Sequence, residues 1–241
     1  MGGATSLGLR LNSVQQDRFV RYCLLLQQAN AGMNLTALRE PEQMMTGLFL
    51  DSLSLSLAIP EMRDAGASEG LMLVDVGTGA GIPGVPLKIL RPGMRLVLID
   101  SVAKKTRFLR NLAGELELAN LDVVTGRAEE RASAGGHYRD SADVCTARAV
   151  AALPTLIELC APFIKPGGRL VLPKSAPLEE EIAQAGAAAV ALHVKLLDVV
   201  VVPPELGLGV RKRIVVYEKL TNTPPGYPRR VGLASSRPIR G

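Results

Sequence analysis

Asp75-Val76-Gly77-Thr78-Gly79-Ala80-Gly81-Ile82-Pro83-Gly84 is the stretch on which the fold turns: an apolar run over 71–76 breaks into alternating glycines and then into a second apolar segment. The unbroken apolar run predicts a strand buried on both faces. Glycine allows positive φ and a close approach of backbone to ligand. Pro83 suits the first turn of a helix, where a missing N–H costs nothing. Strand, glycine turn and helix together indicate a nucleotide-type cofactor at the carboxyl end of a parallel sheet. The same pattern fits the dinucleotide fingerprint G-x-G-x-x-G, so the turn alone does not choose the cofactor.

Downstream, short apolar runs alternate with helical stretches. Strands are expected at 95–100, 121–124, 143–147, 169–174, 194–202 and 213–218, with helices at 104–117, 151–164 and from 178 onward. Alternating strand and helix implies a parallel sheet covered on both faces; the closing pair, joined only by a loop, can be antiparallel. The expected fold is α/β, a doubly wound, mostly parallel seven-stranded sheet of the class I methyltransferase type. Upstream, 9–59 reads as helical, with Phe19, Tyr22, Cys23 and Leu26 at spacings of three and four, a turn at 30–32 and a second helix from Pro41. The expected organisation is a helical region (1–69), a catalytic domain (70–220) and a basic tail (221–241).

Two acids refine the cofactor. Asp75 precedes the glycines, and Asp100 ends the second strand, where it can accept from two ribose hydroxyls. Pyrophosphate wants backbone N–H groups and no nearby anion, whereas S-adenosylmethionine carries a sulfonium, an ammonium and no phosphate. Asp75 therefore favours S-adenosylmethionine over a nicotinamide dinucleotide, whose dehydrogenases are the first alternative; a small-molecule methyltransferase is the second. Gly126-Arg127-Ala128-Glu129 follows the third strand, where the Ala128 amide and the Glu129 carboxylate can meet an adenine.

Bulk properties narrow the setting. The chain has 241 residues and a formal charge of +5, but 203–241 alone holds eight basic residues against two acids, so everything before it nets −1. A localised basic region suits a polyanion partner. Three scattered cysteines (Cys23, Cys145, Cys160) show no metal spacing and fit a reducing cytoplasm. No metal site, membrane span or signal peptide is expected.

The end of the fourth strand, Cys145-Thr146-Ala147-Arg148, excludes several chemistries. It lacks the Asn/Asp-Pro-Pro-aromatic motif of exocyclic-amine methylases. Cys145 lacks the preceding proline of a cytosine-attacking thiolate and reads as core. No lysine–acid tetrad for ribose methylation can be assembled. An acceptor that needs no deprotonation, such as guanine N7, leaves only positioning to the protein. Arg148 and Lys174, at the ends of strands four and five, are the candidate catalytic residues, able to donate to guanine O6 or a phosphate. A strand-end ion pair is the alternative for each.

These motifs together resemble the bacterial small-subunit rRNA guanine-N7 methyltransferases, the glucose-inhibited division protein B family. The resemblance runs from Asn34-Leu35-Thr36 and Asp51-Ser52-Leu53 through the glycine turn. It continues in Asp100-Ser101, Lys104-Lys105, Arg107-Phe108-Leu109, Gly126-Arg127-Ala128-Glu129 and Thr146-Ala147-Arg148-Ala149, and ends at Tyr227-Pro228-Arg229-Arg230-Val231-Gly232. It implies methylation of N7 of guanine 527 in the 530 loop of 16S rRNA, with the small subunit or its precursor as partner and a monomeric enzyme. It implies cofactor contacts at Gly77, Ile82, Asp100, Ser101, Ala128, Glu129 and Arg148, to which the turn itself adds Asp75, Gly79 and Gly81. RNA contacts would fall to Lys104, Lys105, Arg107, Arg127, Lys174, Arg211, Arg229 and Arg230. The chain departs from the family pattern at Leu48, where a histidine is usual, and at Ala29, where a tryptophan is usual.

Overall fold

A computed structural model describes residues 2–64, 66, 68–148, 151–175, 178–209 and 211–239. Ala149 and Arg240, which the sequence reading touches, lie outside them. Seven strands form one sheet: β1 (Met72–Val76), β2 (Arg95–Asp100), β3 (Leu121–Thr125), β4 (Ala142–Thr146), β5 (Ile164–Lys174), β6 (Val194–Val201) and β7 (Arg213–Lys219), in the order β3-β2-β1-β4-β5-β7-β6. The first five run parallel, and β7 inserts antiparallel between β5 and β6. The order reverses between β1 and β4, so the switch point lies at the glycine turn.

Alternation along each strand divides the core in two. Leu73, Leu96, Leu98, Val144, Val171, Ile214 and Val216 face one layer. Val74, Val76, Val97, Ile99, Cys145, Leu170, Leu172, Val215 and Tyr217 face the other. The first layer is covered by α1 (Ser13–Met33), α2 (Gly84–Leu90) and α3 (Ala103–Glu115); the second by α4 (Ala128–Arg131), α5 (Leu153–Cys160), α6 (Glu179–Gln184) and α7 (Gly186–Ala191). Cys145 is fully buried in the second layer, as its apolar setting predicts.

The N-terminal helices share the first core layer rather than forming one of their own. α1 starts on Asn12, whose side chain accepts from Gln15 N in a capping box. The expected turn at 30–32 comes later: α1 continues to Met33 and closes on Asn34 in the left-handed conformation, φ 50°. Asn30, still helical, uses its amide to hold Thr36 N and O, which moves the reversal downstream. The next helical stretch runs without a gap from Pro41 to Leu57 but changes hydrogen-bond pattern, with a π turn at Met45–Leu50 before Asp51–Leu53. Leu48 is buried against the core there.

α1 grips the segment after the glycine turn at both ends. Tyr22, fully buried, donates its hydroxyl to Ala80 O at 2.6 Å. Gln15 Nε2 donates to Ile89 O and Leu90 O at 3.0 and 2.9 Å, satisfying carbonyls that the end of α2 would leave orphaned. Pro83 directly precedes α2 rather than opening it, and the Ile82–Pro83 peptide is cis.

The C-terminal segment is also fastened to the sheet. Lys219, ending β7, is buried and donates to Ala161 O and Thr223 Oγ1. Asp140 accepts from Thr223 N and Oγ1, while Arg139 donates to Thr223 O and Tyr227 O. Thr155 Oγ1 reaches Ala234 O.

Candidate functional site

All the predicted cofactor residues fall along one edge, at the carboxyl ends of the parallel strands. In sheet order they are Ala128 and Glu129 after β3, Asp100 and Ser101 at β2, Asp75 and the glycine turn at the end of β1, and Arg148 after β4; Lys174, the other candidate catalytic residue, ends β5 on the same edge. Neighbouring strands lie about 4.8 Å apart, so three adjacent strands offer a ledge of roughly 10 Å for an elongated ligand.

Gly77, Gly79 and Gly81 all have positive φ, at 68°, 58° and 96°. Gly79 donates its amide to Asp100 Oδ2 at 3.0 Å, and Asp100 Oδ1 accepts from Val102 N at 2.9 Å. One carboxylate thus stitches the β1 turn to the β2 turn, and each of its oxygens keeps a further lone pair. Asp100 is 5% exposed, with Lys105 Nζ at 3.9 Å. Gly126, starting the third turn, donates its amide to Asp100 O.

Asp75 lies beneath the turn with no exposure. Its Oδ2 accepts from Thr78 Oγ1 at 2.6 Å and Gly84 N at 3.0 Å, whereas Oδ1 is buried without a hydrogen-bond partner among the described residues. Burial pushes its carboxyl up to about 6; the Thr78 and Gly84 hydrogen bonds act against this rise. A buried carboxylate this close beneath the turn disfavours a second anion such as a pyrophosphate above it and is compatible with a cationic ligand.

Glu129 is 9% exposed. Its Oε1 accepts from Gly232 N at 2.9 Å, which brings the C-terminal segment against the β3 end of the ledge. Arg127, at the N-cap of α4, is exposed.

At the ends of β4 and β5 both candidate catalytic cations are ion-paired, as the alternative reading of each allowed. Arg148 Nη2 lies 3.3 Å from Asp51 Oδ2 and donates to Gly47 O at 2.8 Å. Lys174 Nζ bonds Glu181 Oε1 at 2.6 Å. They line a cavity of about 630 Å³ with Ala152, Leu156, Pro173 and Lys212. Cys145 is fully buried and its thiol is pushed well above its ordinary range by burial, with Cys160 beside it, so no nucleophilic thiolate is at hand.

The expected RNA contacts separate into two kinds. Arg107, Arg127, Arg211 and Arg230 are exposed, Lys104 reaches Gly32 O at 2.5 Å, and Lys105 leans toward Asp100. Arg229 is different: its Nε and Nη2 clasp the fully buried Glu158 at 2.7 and 2.5 Å, and its Nη2 also donates to Arg237 O. As an expected RNA contact Arg229 therefore stands apart from the exposed cations: its side chain is partly exposed, and its charge is balanced by a buried acid. Four residues shape the site through partners that the sequence does not reveal: Tyr22, whose helical spacing shows burial alone, Gln15, which carries no signal, and Asp51 and Glu158, acids in apolar surroundings. Such a setting for an acid is the only signal available, because an acid is rarely buried unpaired.

The family model for GidB, rRNA small subunit methyltransferase G, matches residues 15–206. The ribosomal RNA small subunit methyltransferase G of Dehalococcoides mccartyi (strain CBDB1) is 40% identical over 238 residues, covering 98% of this chain and 97% of the relative. That of Roseiflexus sp. (strain RS-1) is 42% identical over 239 residues, with the same coverage. Among solved structures, geranyl diphosphate methyltransferase in complex with GPP and sinefungin superposes with a TM-score of 0.52 at 14% identity, covering 71% of this chain and 78% of that one. A SAM-dependent methyltransferase from Aquifex aeolicus gives 0.50 at 18% identity, covering 74% and 93%. At such identities the likeness is one of fold. The relatives, matched almost end to end, carry the stronger statement: this chain belongs to the rRNA small subunit methyltransferase G family.

Proposed function

We infer that the chain is an S-adenosylmethionine-dependent methyltransferase of small-subunit rRNA, and that its acceptor is N7 of guanine 527 in the 530 loop. Membership of the family supports the activity and the cofactor; the nucleotide rests on the resemblance. One structural observation carries the reading. The buried carboxylate of Asp75 under the glycine turn, the Asp100 stitch and Glu129 follow one another along the same strand ends as a cavity lined by Arg148, Lys174 and Lys212.

The cofactor supplies a methyl group activated on a sulfonium sulfur. Asp75 would hold positive charge near the turn, Asp100 would face the ribose hydroxyls, and Ala128 and Glu129 would face the adenine. Asp75 and Asp100 are both buried or nearly so, which strengthens their electrostatic hold.

On the acceptor side the chain presents cations, a buried thiol and no motif for stripping a proton. That is the equipment needed for a ring nitrogen with an available lone pair, where positioning and exclusion of water do the work. Lys104, Lys105 and Arg107 begin α3 just after β2. Arg211 precedes β7, whose first residue, Arg213, pairs with Lys174 at the end of β5. Arg230 adjoins the Gly232 contact to Glu129. These exposed cations therefore rim the same sheet edge as the cofactor ledge, a placement suited to an RNA loop with splayed bases.

The test is to map N7-methylguanosine by borohydride and aniline cleavage of small-subunit rRNA incubated with protein and S-adenosylmethionine. A new cleavage at guanine 527 is expected. Methylation elsewhere overturns the nucleotide, and no methylation of rRNA in any assembly state overturns the substrate class.

A further inference from the structure

Asp51 occupies a junction of three separate parts of the chain: the π-turn segment before β1, the end of β4, and the approach to β7. Its carboxylate is 2% exposed. Oδ1 lies 2.5 Å from Lys212 Nζ and Oδ2 lies 3.3 Å from Arg148 Nη2. Both are charge contacts whose angles fall outside hydrogen-bond geometry among the described residues. A lone carboxylate at this depth would cost several kcal/mol, so the two cations are required where they are. Arg148 is further held by Gly47 O, and its Nη1 is buried without a hydrogen-bond partner among the described residues.

The cluster carries two positive charges and one negative, and Arg148 and Lys212 both line the 630 Å³ cavity. Across that cavity Lys174 is neutralised by Glu181, which also accepts from Leu153 N, while Glu180 is exposed. With Glu180 also lining the cavity, the charges of its wall and Asp51 balance overall, but the positive excess is confined to the Arg148–Lys212 side and the negative excess to the Glu180–Glu181 side. Two long side chains have been immobilised in advance, an ordering that normally costs up to about 2 kcal/mol for each. A pair of fixed N–H donors with net positive charge suits a compact tetrahedral anion carrying two free oxygens.

We propose that Arg148 and Lys212, set in place by Asp51, form a subsite for one backbone phosphodiester of the RNA beside the target nucleotide. Asp51 acts as a positioning residue. The proposal rests on the reading of the chain as an rRNA methyltransferase, but its test does not depend on methyl transfer.

Binding of an RNA hairpin carrying the 530 loop is measured by fluorescence anisotropy across a salt series with the full chain. Calorimetry with S-adenosylmethionine and thermal unfolding run in parallel. Lys212→Gln is expected to weaken RNA binding about fivefold or more, and to lower the slope of log affinity against log salt by about 0.7, one phosphate contact on a single strand. Its affinity for S-adenosylmethionine should be unchanged. Asp51→Asn removes a negative charge, so net charge alone would strengthen RNA binding; the positioning role predicts that binding weakens and that the slope falls. Should Asp51→Asn fail to fold, Lys212→Gln decides. An unchanged slope in Lys212→Gln, tighter RNA binding by a folded Asp51→Asn, or an equal loss of cofactor affinity in Lys212→Gln overturns the subsite. A lowered slope in Lys212→Gln on RNA that the wild type fails to methylate would instead leave the subsite standing and refute the wider reading.

Discussion

Gly79 and Gly81 look interchangeable in the sequence, yet alanine at each should fail for a different reason. At Gly79 (φ 58°) an added Cβ meets nothing nearer than Gly77 O at 3.9 Å. Its cost is conformational, about 1.5 kcal/mol for a non-glycine residue in the left-handed region. At Gly81 (φ 96°) the Cβ would stand 2.7 Å from Val85 Cγ2, 2.9 Å from the Tyr22 hydroxyl and 3.0 Å from Leu109 Cδ2. Overpacking adds about 2 kcal/mol to the same backbone strain, roughly 3.5 kcal/mol together. For a chain of this size each kcal/mol moves Tm by about 3 °C. Gly79→Ala should therefore lose about 4 °C and Gly81→Ala about 10 °C. Cofactor affinity should follow a separate pattern. The new methyl at Gly79 enters the space above the turn, and S-adenosylmethionine binding should fall at least tenfold in a protein that remains folded. Differential scanning fluorimetry and calorimetry read the two quantities independently. Equal Tm losses, or a Gly79→Ala protein that binds S-adenosylmethionine as the wild type does, would refute the division of labour between packing and ligand approach.

Three other outcomes follow from the same geometry. Asp75 titrates near 6 folded against 3.8 unfolded, a raised value, so its contribution to stability is present below pH 4 and is lost as pH rises through 6. Asp75→Asn can keep an oxygen toward Thr78 and Gly84, so its Tm at pH 8 should match or exceed that of the wild type, the gap closing by pH 4, while cofactor affinity drops; a lower Tm at pH 8 argues against the buried-charge account. Arg229→Met leaves Glu158 buried without its cation and should cost about 3 kcal/mol or more, with Glu158→Leu in the same chain restoring part of the loss; a Tm within a degree of wild type would return Arg229 to the exposed, RNA-facing set. Tyr22→Phe removes the 2.6 Å bond to Ala80 O and should cost about 1 kcal/mol, visible as a Tm loss of about 3 °C with weakened cofactor binding.

Local rhythm made most of the sheet legible, because β1 to β4 and the second half of β5 are short apolar runs separated by helices, whereas the start of β5 at Ile164, expected to be helical, runs through the polar Lys165-Pro166-Gly167-Gly168. The loop between β6 and β7 allowed the antiparallel relation the structure shows, but the insertion of β7 beside β5 is a long-range pairing that no local pattern encodes. The glycine turn and Asp100 were readable as a site because their residue types are unusual where they stand. What stayed hidden were partnerships: Gln15 with the end of α2, Tyr22 with Ala80, Arg229 with Glu158, and Asp51 with two cations. Each joins residues about 60 or more positions apart. Arg229 shows the consequence most plainly, since an arginine beside another in a basic segment looks solvated until its buried acid is known.

The bond from Gly232 N to Glu129 Oε1 spans 103 residues of chain. Tyr22, which braces the glycine turn, lies before the whole sheet in the chain, whereas Gly232 lies after all seven strands. The surroundings of Glu129 are therefore completed by a segment made after the sheet. A nascent chain that has already folded its sheet still lacks that hydrogen bond, so the Glu129 carboxylate is fixed in place only once the segment through Gly232 has joined the fold.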